Sequence, residues 1–236
     1  MVADIDPDLW ADPTDGSEAL NRRTAQSMVA GRLRVEILSG LISPGTRLLQ
    51  TKVAERMRTS TTPVREAMAE LAAEGLVDLD PHRGVIVHEP SESELHEVYE
   101  MRSLLDPVLL AKTVTNITES EIERSAAYCR RMEEESEPGA WVVFNSQFHA
   151  HMDAAARSPL LASTVRNLRN RSSIYIAASL LESPDRMARA NQEHLAMVEA
   201  CRRRDIDSGL EPTRQHIEAT VELVTLYLGR LDSKTA

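Results

Sequence analysis

The sequence predicts a mainly α-helical protein: an N-terminal winged helix-turn-helix, α-helical with a small β-hairpin, followed by a C-terminal all-α bundle. Three observations predict it. Between Gly40 and Gly84, turn residues divide the chain into helical segments followed by two short apolar β runs. From Ser91 onward the strand signal disappears and only helical segments remain. A basic stretch sits inside an acidic protein, at the place where the short segments lie.

Bulk composition bounds the rest. The chain has 236 residues, 27% charged and 42% hydrophobic, enough for one large domain or two modest ones. No apolar run approaches the roughly 20 residues that cross a bilayer. The acidic start, Met1 to Ser17, does not have the form of a secretory signal, so a cytoplasmic protein is expected. Cys129 and Cys201 match no metal or redox spacing and read as reduced thiols. Aromatics at 3% disfavour a single-strand binder that stacks bases. The net charge of −10 is unevenly spread: residues 1–21 carry −6, residues 22–88 carry +3 and residues 89–236 carry −7. Between Arg47 and Arg65 stand Arg47, Lys52, Arg56, Arg58 and Arg65 against the single acid Glu55.

Residues 1–21 have no periodic apolar face and are expected to be a disordered acidic segment. Helical periodicity starts near Thr24, with Val29, Leu33, Ile37 and Leu38, and Gly40 ends it. Ser43-Pro44-Gly45 is a turn, and Thr51 can cap a short helix carrying Val53, Ala54 and Met57. Thr62 reads as the cap of a third helix, with Pro63 as its first residue and Val64, Ala67, Met68 and Leu71 on its buried face. Gly75 closes that helix. Leu76 to Leu79 and Val85 to Val87 then read as a hairpin around Asp80-Pro81-His82-Arg83-Gly84. This order is a helix-turn-helix with a wing, expected to span 22–89. In such a domain the third helix enters the major groove of double-stranded DNA by its N-terminus, and the hairpin meets backbone or minor groove.

The second domain is expected over 90–236. Ser91 to Glu94 and Thr118 to Glu121 each match a capping box. Helices are read near 92–116, 119–135, 140–156, 159–182, 186–204 and 206–232, with breaks at Asn116, Pro138-Gly139, Ser158-Pro159, Ser183-Pro184 and Asp205. Pro212 implies either a start at Glu211 or a kink.

The stretch from Leu33 to Val87 resembles the GntR family of bacterial regulators. It does so through Gly40, Pro44-Gly45, Leu48, Ala54, Ser60, the run Thr62-Pro63-Val64-Arg65-Glu66-Ala67, Leu71, Glu74-Gly75-Leu76-Val77 and Arg83-Gly84-Val85. The remainder is similar to the all-helical FCD ligand domain of the FadR branch, through Met101-Arg102, Phe148-His149, Pro159-Leu160-Leu161, Glu193-His194 and His216. Six helices bring it closer to the shorter VanR-type subgroup. The resemblance implies a ligand-responsive regulator, a repressor as the commoner mode. It would act as a homodimer on a pseudo-palindromic operator and answer to a small organic acid.

Expected DNA contacts are Lys52, Arg58, Ser60, Thr61, Thr62, Arg65, His82, Arg83 and Gly84. Arg65 reads either as a phosphate or base contact or as a partner of Glu66 or Glu70; Lys52 and Arg56 read equally as plain surface charge. The family usually has Arg where this chain has Thr61, so the bidentate pairing of Arg with guanine is lost there.

Asn145 and His149 are four apart on one predicted helix and share a face. The resemblance aligns Asn145, His149, His194 and His216 with an Asp and three His that hold a divalent metal. Three imidazoles and an oxygen suit zinc, nickel, manganese or iron. Asn145 is a neutral amide where the family has a carboxylate, which lowers the site's negative charge. His151 points elsewhere, and His88 and His96 read as linker or surface. Arg102 is expected to clamp a carboxylate effector, or else to pair with Asp106; Arg166, Asn170 and Tyr175 are further candidates for the same cavity. Two other readings stay open: a regulator with no working metal site, and a metal-dependent enzyme, which lacks a general base beside the histidines.

Overall fold

The computed structural model describes residues 25–180, 183 and 185–235, with the backbone alone for residue 178 and residues 231–235. The acidic segment 1–21 lies outside the described residues.

The chain order is α1 (Ala25–Leu38), β1 (Arg47–Leu48), α2 (Gln50–Arg56), α3 (Thr61–Ala73), β2 (Val77–Asp80), β3 (Gly84–Val87), α4 (Glu92–Asn116), α5 (Glu119–Glu134), α6 (Pro138–Ala155), α7 (Pro159–Ser173), α8 (Ile176–Leu180), α9 (Asp185–Arg203) and α10 (Ile206–Thr235). The fold is mainly helical, with a winged helix-turn-helix ahead of a helical bundle. No described helix is long and apolar enough to cross a membrane.

In the N-terminal unit, Leu33 and Ile37 of α1 and Val64, Ala67, Met68 and Leu71 of α3 are almost wholly buried in one core. The wing has one strand more than expected. β1 pairs antiparallel with β3, which also pairs with β2, in the order β1-β3-β2. At two residues, β1 is too short to show a period of two.

Two caps shift. The second helix starts from Leu49 without a side-chain cap, so Thr51 lies inside it. The third starts two residues earlier than expected: Ser60 is the N-cap, Thr61 the first helical residue and Pro63 the third. Neither change breaks the helix-turn-helix, because Pro63 still falls where an amide would lack an intrahelical partner.

In the bundle, Thr118 and Glu121 form both halves of a capping box. Ser91 makes only its own half, accepting from the Glu94 amide. The Glu94 carboxylate turns instead to Arg171 at 2.6 Å and His88 at 3.0 Å. α10 begins at Ile206 and runs through Pro212, which cannot donate to the carbonyl one turn back. The helix expected over 159–182 divides into α7 and α8. Ile174, Tyr175 and Ile176 are all buried, and three consecutive residues cannot share one helical face.

The two units meet along α7. Asn167 Nδ2 donates to the Ala73 carbonyl at 2.8 Å, and Asn170 Nδ2 to the Glu74 carbonyl at 3.0 Å. These are carbonyls at the C-terminal end of α3, which an isolated helix leaves without partners. Gly75, at φ +79°, turns the chain here, and a Cβ at this residue would lie 3.0 Å from Asn167 Oδ1. His88 closes the joint: it is buried and bonded to Asp78 at 2.8 Å and to Glu94, so it is a linker residue but not a surface one.

Candidate metal and ligand cavity and nucleic-acid interface

Helical spacing aims Asn145, His149 and Asp153 of α6, at intervals of four, into the bundle, where all three are buried. His194 of α9 and His216 of α10 approach from the other side, also buried. The three imidazoles each offer a nitrogen within 4.8 Å of the others. Ring centroids stand 5.1 Å apart for His149 and His194, 5.3 Å for His149 and His216, and 4.7 Å for His194 and His216.

Nε2 of His149, both ring nitrogens of His194 and Oδ1 of Asn145 are buried without a hydrogen-bond partner among the described residues. Orphaned polar atoms of this kind are costly unless something coordinates them. Burial lowers the pKa of all three histidines, assisted at His149 by Arg169 and only partly opposed at His216 by Glu193. Neutral imidazoles are the form that ligates metal. His216 Nδ1 contacts Glu193 at 2.7 Å, and Arg186 grips that carboxylate at 3.0 and 2.9 Å. Burial alone would raise the Glu193 pKa, but the bonds from His216 and Arg186 outweigh it and the carboxylate is held ionised. An ionised Glu193 makes Nδ1 the donor and leaves Nε2 of His216 its lone pair. The donor set fits a divalent transition metal.

Two small cavities, about 40 Å³ and 20 Å³, flank the histidines. Arg102, His149, Arg169 and His216 line both. Arg102 donates to Asp106 Oδ2 at 3.1 and 3.2 Å and lies over the Tyr99 ring. Arg102 thus lines the cavities and is paired with Asp106 at the same time. Arg169 donates to Asp153 at 2.7 Å and stands 3.5 Å from Asp106. Burial pushes Asp153 upward in pKa against the pull of Arg169.

The structure places the other cavity candidates elsewhere. Arg166 is exposed, because the inward stripe of α7 runs through Val165, Arg169 and Ser172. Asn170 is spent on the Glu74 carbonyl, and Tyr175 packs near Tyr227 with burial pushing its hydroxyl up to about 12. Arg169, Asp153 and Arg186 were not singled out from sequence; the first lies on the stripe that also holds Val165 and Leu168, a period-3.6 signal. His151 is bonded to the Glu121 carbonyl and His96 is exposed. The cysteines are free and buried, with burial pushing Cys129 to about 12 and Cys201 to about 11.

All nine expected DNA contacts are exposed. Ser60, Thr61, Thr62 and Arg65 cluster at the start of α3. Arg65 has no ion pair with either acid considered for it: Glu70 is held by Arg34 at 3.0 Å and Gln26 at 3.2 Å. Arg56 is ion-paired with Glu36 at 2.6 Å, the surface-charge reading. Arg58 takes the left-handed conformation at φ 51° in the turn before α3. At the wing tip, Asp80 Oδ1 accepts from the amides of His82 and Arg83, both at 2.7 Å, and fixes the turn.

Residues 97–219 match the family described as the FCD domain, and residues 25–87 match bacterial regulatory proteins of the gntR family. The chain is 27% identical over 197 residues to the HTH-type transcriptional repressor RspR of Escherichia coli K12, covering 81% of this chain and 85% of that one. It is 27% identical to a probable D-xylose utilization operon transcriptional repressor of Paenarthrobacter nicotinovorans, covering 92% and 96%. Among solved structures, E. coli McbR/YncC superposes with a TM-score of 0.75 at 19% identity, covering 87% of this chain and 99% of that one.

Proposed function

The chain belongs to the GntR family of bacterial regulators, with an FCD domain behind its DNA-binding domain, and is a transcription regulator rather than an enzyme; we propose that it is a repressor released from its operator by a small carboxylate metabolite bound beside a divalent metal. In this reading the chain acts in the cytoplasm as a homodimer, placing two winged helices on the half-sites of a pseudo-palindrome. The domain limits of 22–89 and 90–236 divide those roles. The repressor names of the relatives support the sign.

The observation that carries ligand control is the position of α7. Its Arg169 lines the cavities, while Asn167 and Asn170 of the same helix hold the end of α3. His149, His194 and His216, with Asn145, would hold the metal, which supplies positive charge to a ligand. The cavities are small, so a metabolite displaces lining side chains on entry. An incoming carboxylate competes with Asp106 and Asp153 for Arg102 and Arg169. That exchange loosens the ties of α7 to α4 and α6 and reaches α3 through the two asparagines. The coupling requires the ligand to bind one arrangement of α7 better than the other.

Asn145 favours a second version, in which the same regulator works without metal, because a neutral amide adds no charge to the site. Elemental analysis of the purified chain beside a His194→Ala/His216→Ala variant separates the two. About one ion per chain, lost in the variant, supports the metal version; no ion in either leaves the metal-free version.

A further inference from the structure

We propose that Arg47 is a DNA-backbone contact, a cation that β1 lays along the wing. The inference rests on the reading of the winged helix as the DNA-binding face. β1 has only two residues, and alternation sends them to opposite sides: Leu48 into the core and Arg47 outward. Arg47 pairs with Ile86 of β3, whose first residue, Gly84, ends the wing turn. A Cβ on Gly84 would lie 3.9 Å from Nη2 and 4.0 Å from Nε of Arg47. The guanidinium thus crosses the one wing position that has no side chain.

Its charge is uncommitted. The chain carries 37 acids against 27 Lys and Arg, and two nearby cations find acids: Arg56 has Glu36 and Arg83 reaches Asp80 at 3.5 Å. Arg47 is exposed and makes no ion pair among the described residues. A lone guanidinium beside the wing tip suits a phosphate, which needs only charge and reach. A base edge is the less suitable partner, since Arg47 stems from the sheet behind the turn rather than from the tip.

The test uses the full chain and a random-sequence duplex of about 30 base pairs, so no operator is needed. Affinity is followed by fluorescence anisotropy across a salt series for the wild type, Arg47→Ala, Arg47→Lys and, as a control remote from the wing, Arg214→Ala. The expected result is a wild-type line of log affinity against log salt that becomes shallower in Arg47→Ala by about 0.9 for each wing on the duplex, about 1.8 for a dimer with both wings bound. Arg47→Lys and Arg214→Ala keep the wild-type slope, and melting temperatures stay equal. A steep wild-type slope that Arg47→Ala leaves unchanged overturns the inference, as does Arg47→Lys behaving like Arg47→Ala, which would mean that the planar fork reads a base. A wild type that does not bind the duplex overturns the DNA-binding reading itself, and the inference with it.

Discussion

His216 and Glu193 face each other at 2.7 Å across the junction of α10 and α9, and Arg186 holds the carboxylate from behind. The pair fixes which nitrogen of His216 is free to ligate. Glu193→Gln keeps the shape and removes the charge, so zinc or nickel affinity falls about 10- to 100-fold. Competition with a chromophoric chelator measures it, and unchanged affinity would show that the His216 ring is oriented by packing alone.

Acid weakens the metal-free protein through the same cluster. The folded pKa values of His149, His194 and His216 all lie below the unfolded 6.5. Above pH 6.5 neither state carries the extra protons and these groups add no pH dependence. As pH falls below 6.5 the unfolded chain takes up protons that the folded chain refuses, and stability drops. Urea midpoints of chelator-treated protein at pH 7.5, 6.0 and 5.5 are expected to fall in that order, with a smaller fall in His194→Gln.

Breaking the contact between α7 and α3 leaves the metal site alone. Asn167→Ala with Asn170→Ala frees the carbonyls of Ala73 and Glu74, at about 1 kcal/mol for each lost bond. Hydrogen exchange at the last turn of α3 quickens while metal content stays at the wild-type level. Exchange that matches the wild type counts against transmission through these two residues.

Two cap residues separate stability from binding. Thr118→Ala removes a full capping box and costs about 1 kcal/mol in urea unfolding. Ser60→Ala removes a cap side chain that makes no cap bond, so stability changes by a few tenths of a kcal/mol at most, while affinity for a random-sequence duplex falls. A large stability loss from Ser60→Ala would assign that side chain to the fold instead.

Helices were readable wherever Gly, Pro or a capping box marks an end, as at Thr118 and at Ser158-Pro159. The α7–α8 break was not, because Ile174 and Tyr175 carry no turn chemistry and only tertiary burial divides them. β1 escaped because Arg47 and Leu48 find partners 39 and 37 residues away in β3, a pairing no local pattern encodes. In the candidate site, the spacing of Asn145 and His149 is local and legible. The convergence of His194 and His216 rested on family likeness; of the two arginines expected at the cavity, Arg102 lines it and Arg166 does not, the second place being taken by Arg169, three residues on and on the buried stripe.

Arg102, Asp106, Asp153 and Arg169 are four charges locked together out of water, and this constrains how the cavity can change over generations. Losing Asp106 alone strands the Arg102 guanidinium in a dry interior, since Arg169 keeps Asp153, and the defect is about 3–5 kcal/mol, a large fraction of a typical domain's stability. A lineage drifting towards a neutral or cationic metabolite therefore has few single-step routes. Acid and base must be exchanged together, or a compensating charge must arrive first.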